Sequence, residues 1–372
     1  MTQPFGADLP RPAPGQLHVY LLGPGVGESQ VVVFPDGRSM VVDGCTLGGV
    51  NLTAALLDHL QIGSVDAVVL THPDLDHLRG IAEVICRFEP QKIFRYPALS
   101  YLRDFVAIWH AHQPANARYR ELALAIDTID ARASLDEADE LPSCASSRPW
   151  TPKGASYAVH FLAPTYFDQA RVRVVWRKIV EHRGGRFVLS RRFERLMNGQ
   201  TRLGDAPNAI SLAVVVEWSG RRVLLAGDVE NGKRSPKSGW KGVLRLLDDP
   251  DDFRGHLVDD VDLVKVAHHG SKGAFFPGAW QRHARARKTT AILTPFAPSR
   301  LPSDSTLVDL RQHCSMLGIS AGGGDAFPRA EAAGWTHAVG ALTDTPAPCI
   351  AAVFDAAGSL RLFRGQAAVL FQ

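Results

Sequence analysis

Four side chains able to bind a metal ion fall within six residues: His72, Asp74, Asp76 and His77, in the run Thr71-His72-Pro73-Asp74-Leu75-Asp76-His77. Imidazole nitrogen and carboxylate oxygen are the donors of hydrolytic zinc sites, which keep one coordination position open for water. The same residues also suit a polar turn, since Asp and Asn side chains commonly cap loops and turns. Two further segments weigh against the turn. Asp228 follows the apolar run Val223–Ala226 and a glycine, and His268 and His269 follow the apolar run Val261–Ala267. Three strands that each end in a ligand-type residue are what a metal site at one rim of a sheet requires.

The elements that position these residues can be read from pattern. Val65–Leu70 is a short apolar strand that runs straight into the four-donor loop. Pro73 restricts His72 to an extended conformation, and alternate residues of an extended segment point the same way. His72, Asp74 and Asp76 can therefore converge, with His77 joining Asp76 on a second ion. Strands are expected at Leu17–Leu22, Gln30–Phe34 and Ser39–Val42, the last two parted by the turn Pro35-Asp36-Gly37. Apolar spacing predicts helices over Asn51–Gln61, Trp240–Leu247 and Ser305–Leu317. Further strands are expected at Ile210–Trp218, Arg222–Leu225 and Thr290–Leu293, with a closing hairpin of Cys349–Phe354 and Ser359–Phe363. Hairpins near both ends with strand–helix units between them predict a layered α/β sandwich.

In this scheme residues 1–16, rich in Pro and Gly, form a loose arm, and residues 17–90 and 206–372 form the core. Residues 91–205 read as an insertion, with helical patterns over Leu99–Ile129, a loop over Asp136–Ser156 and a basic segment over 171–202.

Composition narrows the class. The 372 residues are 45% hydrophobic and 21% charged, which is normal for a globular chain with a real core. A formal charge of +3 is too small to imply a nucleic-acid partner by itself. The five cysteines are odd in number, widely spaced and free of any CxxC pair. That excludes a disulfide framework or thiolate zinc site and fits a cytoplasmic protein. The N-terminus lacks the basic start and apolar run of a secretory signal. No stretch reaches the roughly eighteen apolar residues of a membrane span. The expectation is a soluble cytoplasmic protein with no membrane partner.

With these motifs the chain resembles the metallo-β-lactamase superfamily, and within it the hydrolase branch typified by ComEC. The resemblance runs through Gly25-Val26-Gly27-Glu28-Ser29, Val41-Val42-Asp43-Gly44, Leu70–His77, Asn208-Ala209-Ile210-Ser211-Leu212, Leu224–Glu230 and Val264–Lys272, about two thirds of the chain. It implies a four-layer αββα sandwich carrying a helical and basic insertion. It also implies one or two zinc ions, with His72 and Asp74 on one, Asp76, His77 and His268 on the other, and Asp228 bridging. The wider superfamily's first motif is His-x-His-x-Asp-His; here its second His is Asp74. A carboxylate in that place makes the first site harder and could admit manganese. The third-motif His is replaced by the neighbourhood of Asn208 and Ser211. His269 is expected to be an outer partner of a ligand, and Asp43 to orient a ligand His. Leu301-Pro302 stands where many such chains carry a His-Pro pair.

The resemblance favours a phosphodiester substrate, DNA or RNA. In such a site Asp76 and Asp228 would serve the catalytic cations. Lys272, in the loop after His268, would balance phosphate charge or protonate the leaving group; the alternative is an ordinary solvated lysine. Between Arg171 and Arg202 ten Lys and Arg residues are interleaved with Trp176, Phe187 and Phe193. That mixture suits backbone contact plus base stacking, with Arg191, Arg192 and Arg195 as the candidate contacts. The same run also suits a solvated face or the docking surface of a protein partner on the insertion. Two other functions stay open: hydrolysis of a small ester such as a lactone or phosphocholine ester, and a binding subunit without turnover.

Overall fold

The computed structural model describes residues 4–95, 117–133, 148–177, 180–183, 186–189, 208–232 and 235–372. Two sheets carry the architecture. The first has eight strands, in the spatial order Ala341–Leu342, Leu360–Arg364, Cys349–Phe354, Leu17–Leu22, Ser29–Val33, Ser39–Val42, Ala67–Leu70 and Lys92–Arg95. The second has seven, in the order Val369–Phe371, Cys314–Ile319, Thr289–Leu293, Leu263–Lys265, Arg221–Leu225, Ala213–Trp218 and Tyr157–Ala163.

Strand composition explains the layering. Leu17–Leu22 is buried along its whole length. Its alternate residues therefore serve two cores. Val19 and Leu21 face the second sheet, packing in one cluster with Val214, Val216, Val223 and Leu225. Tyr20 and Leu22 face outward, in a cluster with Leu56 and Leu57 of the helix Leu52–His59 and Val84 and Ile85 of the helix Ile81–Phe88. On the far side the second sheet buries Val215, Leu224 and Val264 beneath the helices Gly239–Leu247, Pro277–His283 and Asp304–His313. The result is the four-layer αββα sandwich. Each such apolar side chain stabilises the fold by about 1.5–3 kcal/mol on full burial.

Parallel pairing decides where the chemistry can sit. Ser39–Val42 runs parallel to Ala67–Leu70. In the other sheet Arg221–Leu225, Leu263–Lys265 and Thr289–Leu293 run parallel to one another. Parallel strands present their carboxyl ends together, so Asp43, His72, Asp228, His268 and Thr294 all emerge at strand ends. The Leu212 amide donates to the Thr71 carbonyl at 3.1 Å and ties the two sheets there.

Several elements differ from expectation, each for a local reason. Residues 4–16 are not loose: Phe5 and Leu9 are buried in the core beside the helix Leu52–His59, and the Tyr20 hydroxyl donates to the Pro10 carbonyl. The insertion is narrower than 91–205, because Lys92–Arg95 and Tyr157–Ala163 are strands of the two sheets. Its described parts include the helices Ala117–Ala133 and Tyr166–Arg177. The helix expected to Leu317 stops at His313, and Cys314–Ile319 is a strand. No described helix is long and apolar enough to cross a membrane.

Candidate metal centre

The loop after Ala67–Leu70 is extended only as far as Asp74, whose φ and ψ are −85° and 146°. Leu75–Leu78 then forms a single helical turn. His72, Asp74 and Asp76 therefore do not line one face as an extended segment would place them. The turn separates the four donors into two pairs. His72 Nε2 lies 3.6 Å from Asp74 Oδ2, and His77 Nε2 lies 3.8 Å from Asp76 Oδ2.

Asp228 stands between these pairs and is buried. Its Oδ2 is 3.7 Å from His72 Nε2, and its Oδ1 is 3.4 Å from His77 Nε2. The glycine before it has φ of +50°, and a Cβ there would lie 2.4 Å from the Leu212 carbonyl oxygen. Gly227 is thus what lets the strand end turn tightly enough to present Asp228.

His268 and His269 both adopt left-handed backbone, with φ of 49° and 51°. This conformation is costly for residues other than glycine and persists where surrounding structure enforces it. It also corrects the assignment of the two rings. His268 Nε2 is 3.7 Å from Asp228 Oδ2, the oxygen that faces His72, so His268 sits on the His72 side. His269 Nε2 is 3.3 Å from Asp76 Oδ2, and Asp76, His77 and His269 form one tight group. His269, expected as an outer partner, therefore takes the place given to His268.

The partners of the other ring nitrogens fix the tautomers. Thr71 Oγ1 donates to Asp43 Oδ2 at 2.7 Å, so it accepts from His72 Nδ1 at 2.9 Å. His77 Nδ1 donates to Asp43 Oδ2 at 2.7 Å. His269 Nδ1 donates to the Thr294 carbonyl and hydroxyl oxygens at 3.1 and 2.9 Å. Each ring thus places a proton on Nδ1 and turns Nε2 toward carboxylate oxygens. His72 Nε2, His77 Nε2 and Asp228 Oδ1 are buried and make no hydrogen bond. Acceptor facing acceptor is unfavourable unless a proton or a metal cation lies between. Ligand atoms roughly 2.0–2.2 Å from one tetrahedral zinc lie about 3.3–3.6 Å apart, close to the separations found here. The donor set fits divalent cations.

Electrostatics mark the same place as one that attracts positive charge. Burial pushes His72 down to about 4, so its imidazole is neutral at neutral pH. Burial also opposes charge on His77, but the Asp228 and Asp43 carboxylates outweigh it and hold its pKa well above the usual value. Asp228 is held well below the carboxylate range against the cost of burial, by His268 and His77 first. Asp76 is lowered in the same way by His269 and His77.

Among the residues the sequence singled out, Asn208 Nδ2 lies 3.2 Å from His268 Nδ1. Ser211 Oγ accepts from the Asp228 amide at 2.8 Å and lies 3.5 Å from His72 Nδ1. Lys272 is exposed, one residue before Gly273. Arg191, Arg192 and Arg195 lie outside the described residues. A cavity of about 220 Å³ is lined by Asn208, Ser211, Val229, Glu230, Gly273 and Arg171, the last from the basic segment.

Two buried charges were missed as site residues. Glu28 and Lys265 are both fully buried and paired with each other beneath the donors. Glu28 was visible only as part of a glycine-rich loop, and Lys265 stands within the apolar run Val264-Lys265-Val266. The one local signal was a lone lysine where a strand should be apolar on both faces.

No curated protein matches the chain. Among solved structures, the metallo-beta-lactamase fold protein YhfI from Bacillus subtilis is similar at 11% identity, covering 82% of this chain and 95% of that one, with a TM-score of 0.38. A diphosphatase from the PhnP family is similar at 10% identity, covering 74% and 85%, with a TM-score of 0.34. Zinc-bound PqqB from Methylobacterium extorquens is similar at 12% identity, covering 66% and 71%, with a TM-score of 0.31. The family model of the metallo-beta-lactamase superfamily matches residues 23–276, a span that holds every donor described above. The chain belongs to the metallo-β-lactamase superfamily, whose members are generally metal-dependent hydrolases.

Proposed function

We propose that the chain is a phosphodiesterase or nuclease that works in the cytoplasm with two divalent cations, zinc or manganese. The observation that carries this reading is the division of the cluster by Asp228, one oxygen toward His72, Asp74 and His268 and the other toward Asp76, His77 and His269. Charge supports the number of ions. Glu28, Asp43, Asp74, Asp76 and Asp228 oppose one ammonium, that of Lys265; with every imidazole giving Nε2 to a cation, and His77 releasing the proton that its carboxylates otherwise hold there, the formal charge is −4. Two divalent cations match it.

Bound there, such a pair would lower the pKa of water to roughly 7 and neutralise charge on an esterified phosphate. The residues of the chain do the rest. Asp43 and Thr71 hold His77 and His72 in the tautomer that offers Nε2. Ser211 fixes the Asp228 backbone. Arg171 lines the adjoining cavity and suits an anionic substrate. Lys272, exposed beside Gly273, is free to meet a phosphate or a leaving group. The case for DNA or RNA rests on the basic segment and its Arg191, Arg192 and Arg195. The size of the cavity favours the second reading, a small ester, since drug-sized ligands occupy about 300–1,000 Å³. The buried free thiols Cys45, Cys314 and Cys349 suit a reducing compartment.

The test is metal analysis of the purified protein, then hydrolysis of bis-(p-nitrophenyl) phosphate, single- and double-stranded DNA, and RNA with zinc or manganese. About two ions per chain and cleavage of a nucleic acid are expected. Binding without hydrolysis of any substrate would leave the chain a binding subunit. Arg191→Glu with Arg192→Glu and Arg195→Glu should weaken nucleic-acid binding and flatten its salt dependence; unchanged binding would point to a small ester.

A further inference from the structure

We infer that the buried Glu28–Lys265 ion pair is the positioning device that sets the spacing between the two cation-binding groups. This rests on the reading of the cluster as a divalent-cation centre. All three donor-bearing segments are tied to the pair. The Glu28 amide donates to the Asp76 carbonyl at 2.9 Å, which anchors the loop of Asp76 and His77. One Glu28 oxygen accepts from the Thr294 hydroxyl and lies 3.3 Å from His269 Nδ1. The other pairs with Lys265, whose ammonium also donates to the Gly227 carbonyl at 3.3 Å, one residue before Asp228. Lys265 and Glu28 thus set the distance from Asp228 to His269 and Asp76.

The energetics of a buried pair argue for such a role. Removing two charges from water costs several kcal/mol per ion, and apolar side chains of similar volume are often as stable or more so. A pair kept beneath the donors is therefore poorly explained as core filling. A carboxylate behind an imidazole also fixes ring orientation and tautomer, and loss of such outer partners typically weakens metal binding about 10–100-fold. The Glu28 carboxylate acts on His269 through the Thr294 hydroxyl that His269 donates to and lies 3.3 Å from the same ring nitrogen, while the lysine offsets its charge.

The test compares wild-type protein with the double variant Glu28→Gln, Lys265→Met, which removes both charges at nearly constant volume. Metal-free melting reports folding, and calorimetric titration with zinc and with manganese reports each ion's affinity. The expected result is a folded variant in which one ion binds 10–100-fold more weakly while the other stays within about threefold. If both affinities stay within about threefold, the inference is overturned. Should the double variant not fold, Thr294→Val removes the hydroxyl between Glu28 and His269 without touching a charge. It should weaken one ion several-fold, and unchanged affinities would overturn the inference in the same way. Wild-type protein that binds no divalent cation would instead sink the proposed function, and the two failures are told apart by that measurement.

Discussion

In the half of the cluster built on His72, Asp74 and His268, the rings lean on neutral partners: the Thr71 and Ser211 hydroxyls and the Asn208 amide. In the half built on Asp76, His77 and His269, carboxylates stand close behind: His77 donates to Asp43, and His269 donates to the Thr294 oxygens with a Glu28 oxygen 3.3 Å from the same nitrogen. Exposure differs as well. The His77 and His269 side chains are 0% and 1% exposed; in the other half His72 is also 0% exposed, but His268 is 25% exposed. A carboxylate behind an imidazole makes it a stronger donor than a hydroxyl does. The enclosed half should therefore hold its cation tightly, and the open half should exchange its cation readily and meet substrate.

The largest effect should come from the group both halves share. Asp228→Ala is expected to abolish binding of both ions and lower hydrolysis more than ~100-fold, beyond the usual effect of an outer partner. Its metal-free form should melt lower than wild type, because the depressed pKa of Asp228 marks a carboxylate that its histidine neighbours stabilise in the folded state. If metal analysis still finds one tightly bound ion, the halves are independent and Asp228 does not join them. Asp43→Asn comes next. It weakens the acceptor behind His77 and, through Thr71, behind His72. The expected loss is about 10–100-fold in affinity for the enclosed ion and less for the open one, resolved by competition with a chelator.

Histidines outside the cluster supply a contrast in acid. His283 sits edge-on to Trp240 and Trp280 and donates to the Val258 carbonyl, and His18 lies under Tyr20. Burial lowers both from 6.5 to about 4. Above about pH 6.5 both are neutral folded or unfolded, and their contribution to stability is complete. As pH falls toward 4 the unfolded chain takes up protons that the folded chain refuses. Stability is then lost by up to ~1.4 kcal/mol per pH unit for each ring and levels off below 4. Urea midpoints from pH 7 to 4 should show this slope in metal-free protein, and His283→Gln should reduce it. The smallest effect is expected of Asn208→Ala, whose side-chain amide meets His268. It should weaken only the open ion, by less than about tenfold. A larger or shared loss would mean the halves are not braced separately.

The donor positions were legible because chemistry and pattern coincide there. His72 to His77 crowd four potential ligands into one loop, and Asp228 and His268 each stand where an apolar strand stops. The pairing of donors was not legible. It depends on the helical turn Leu75–Leu78 and on two left-handed residues in succession, neither of which local propensity favours. Lys92–Arg95 was missed because a short strand with charged ends looks like loop. Met316 and Leu317 continue the apolar spacing of Leu310, so the strand Cys314–Ile319 reads as more helix, with no glycine or proline to mark the change. Glu28 and Lys265 meet only in the tertiary fold, and no local pattern joins them.

The tie between the Leu212 amide and the Thr71 carbonyl has a consequence for the order of assembly. It marks a seam: His72 to His77 come from one sheet, and Asp228, His268 and His269 from the other, much later in the chain. During synthesis the early donors leave the ribosome long before their counterparts exist. Neither portion of the polypeptide can complete a coordination sphere by itself. Any cation that needs donors from both sheets would therefore have to wait until the late sheet has docked.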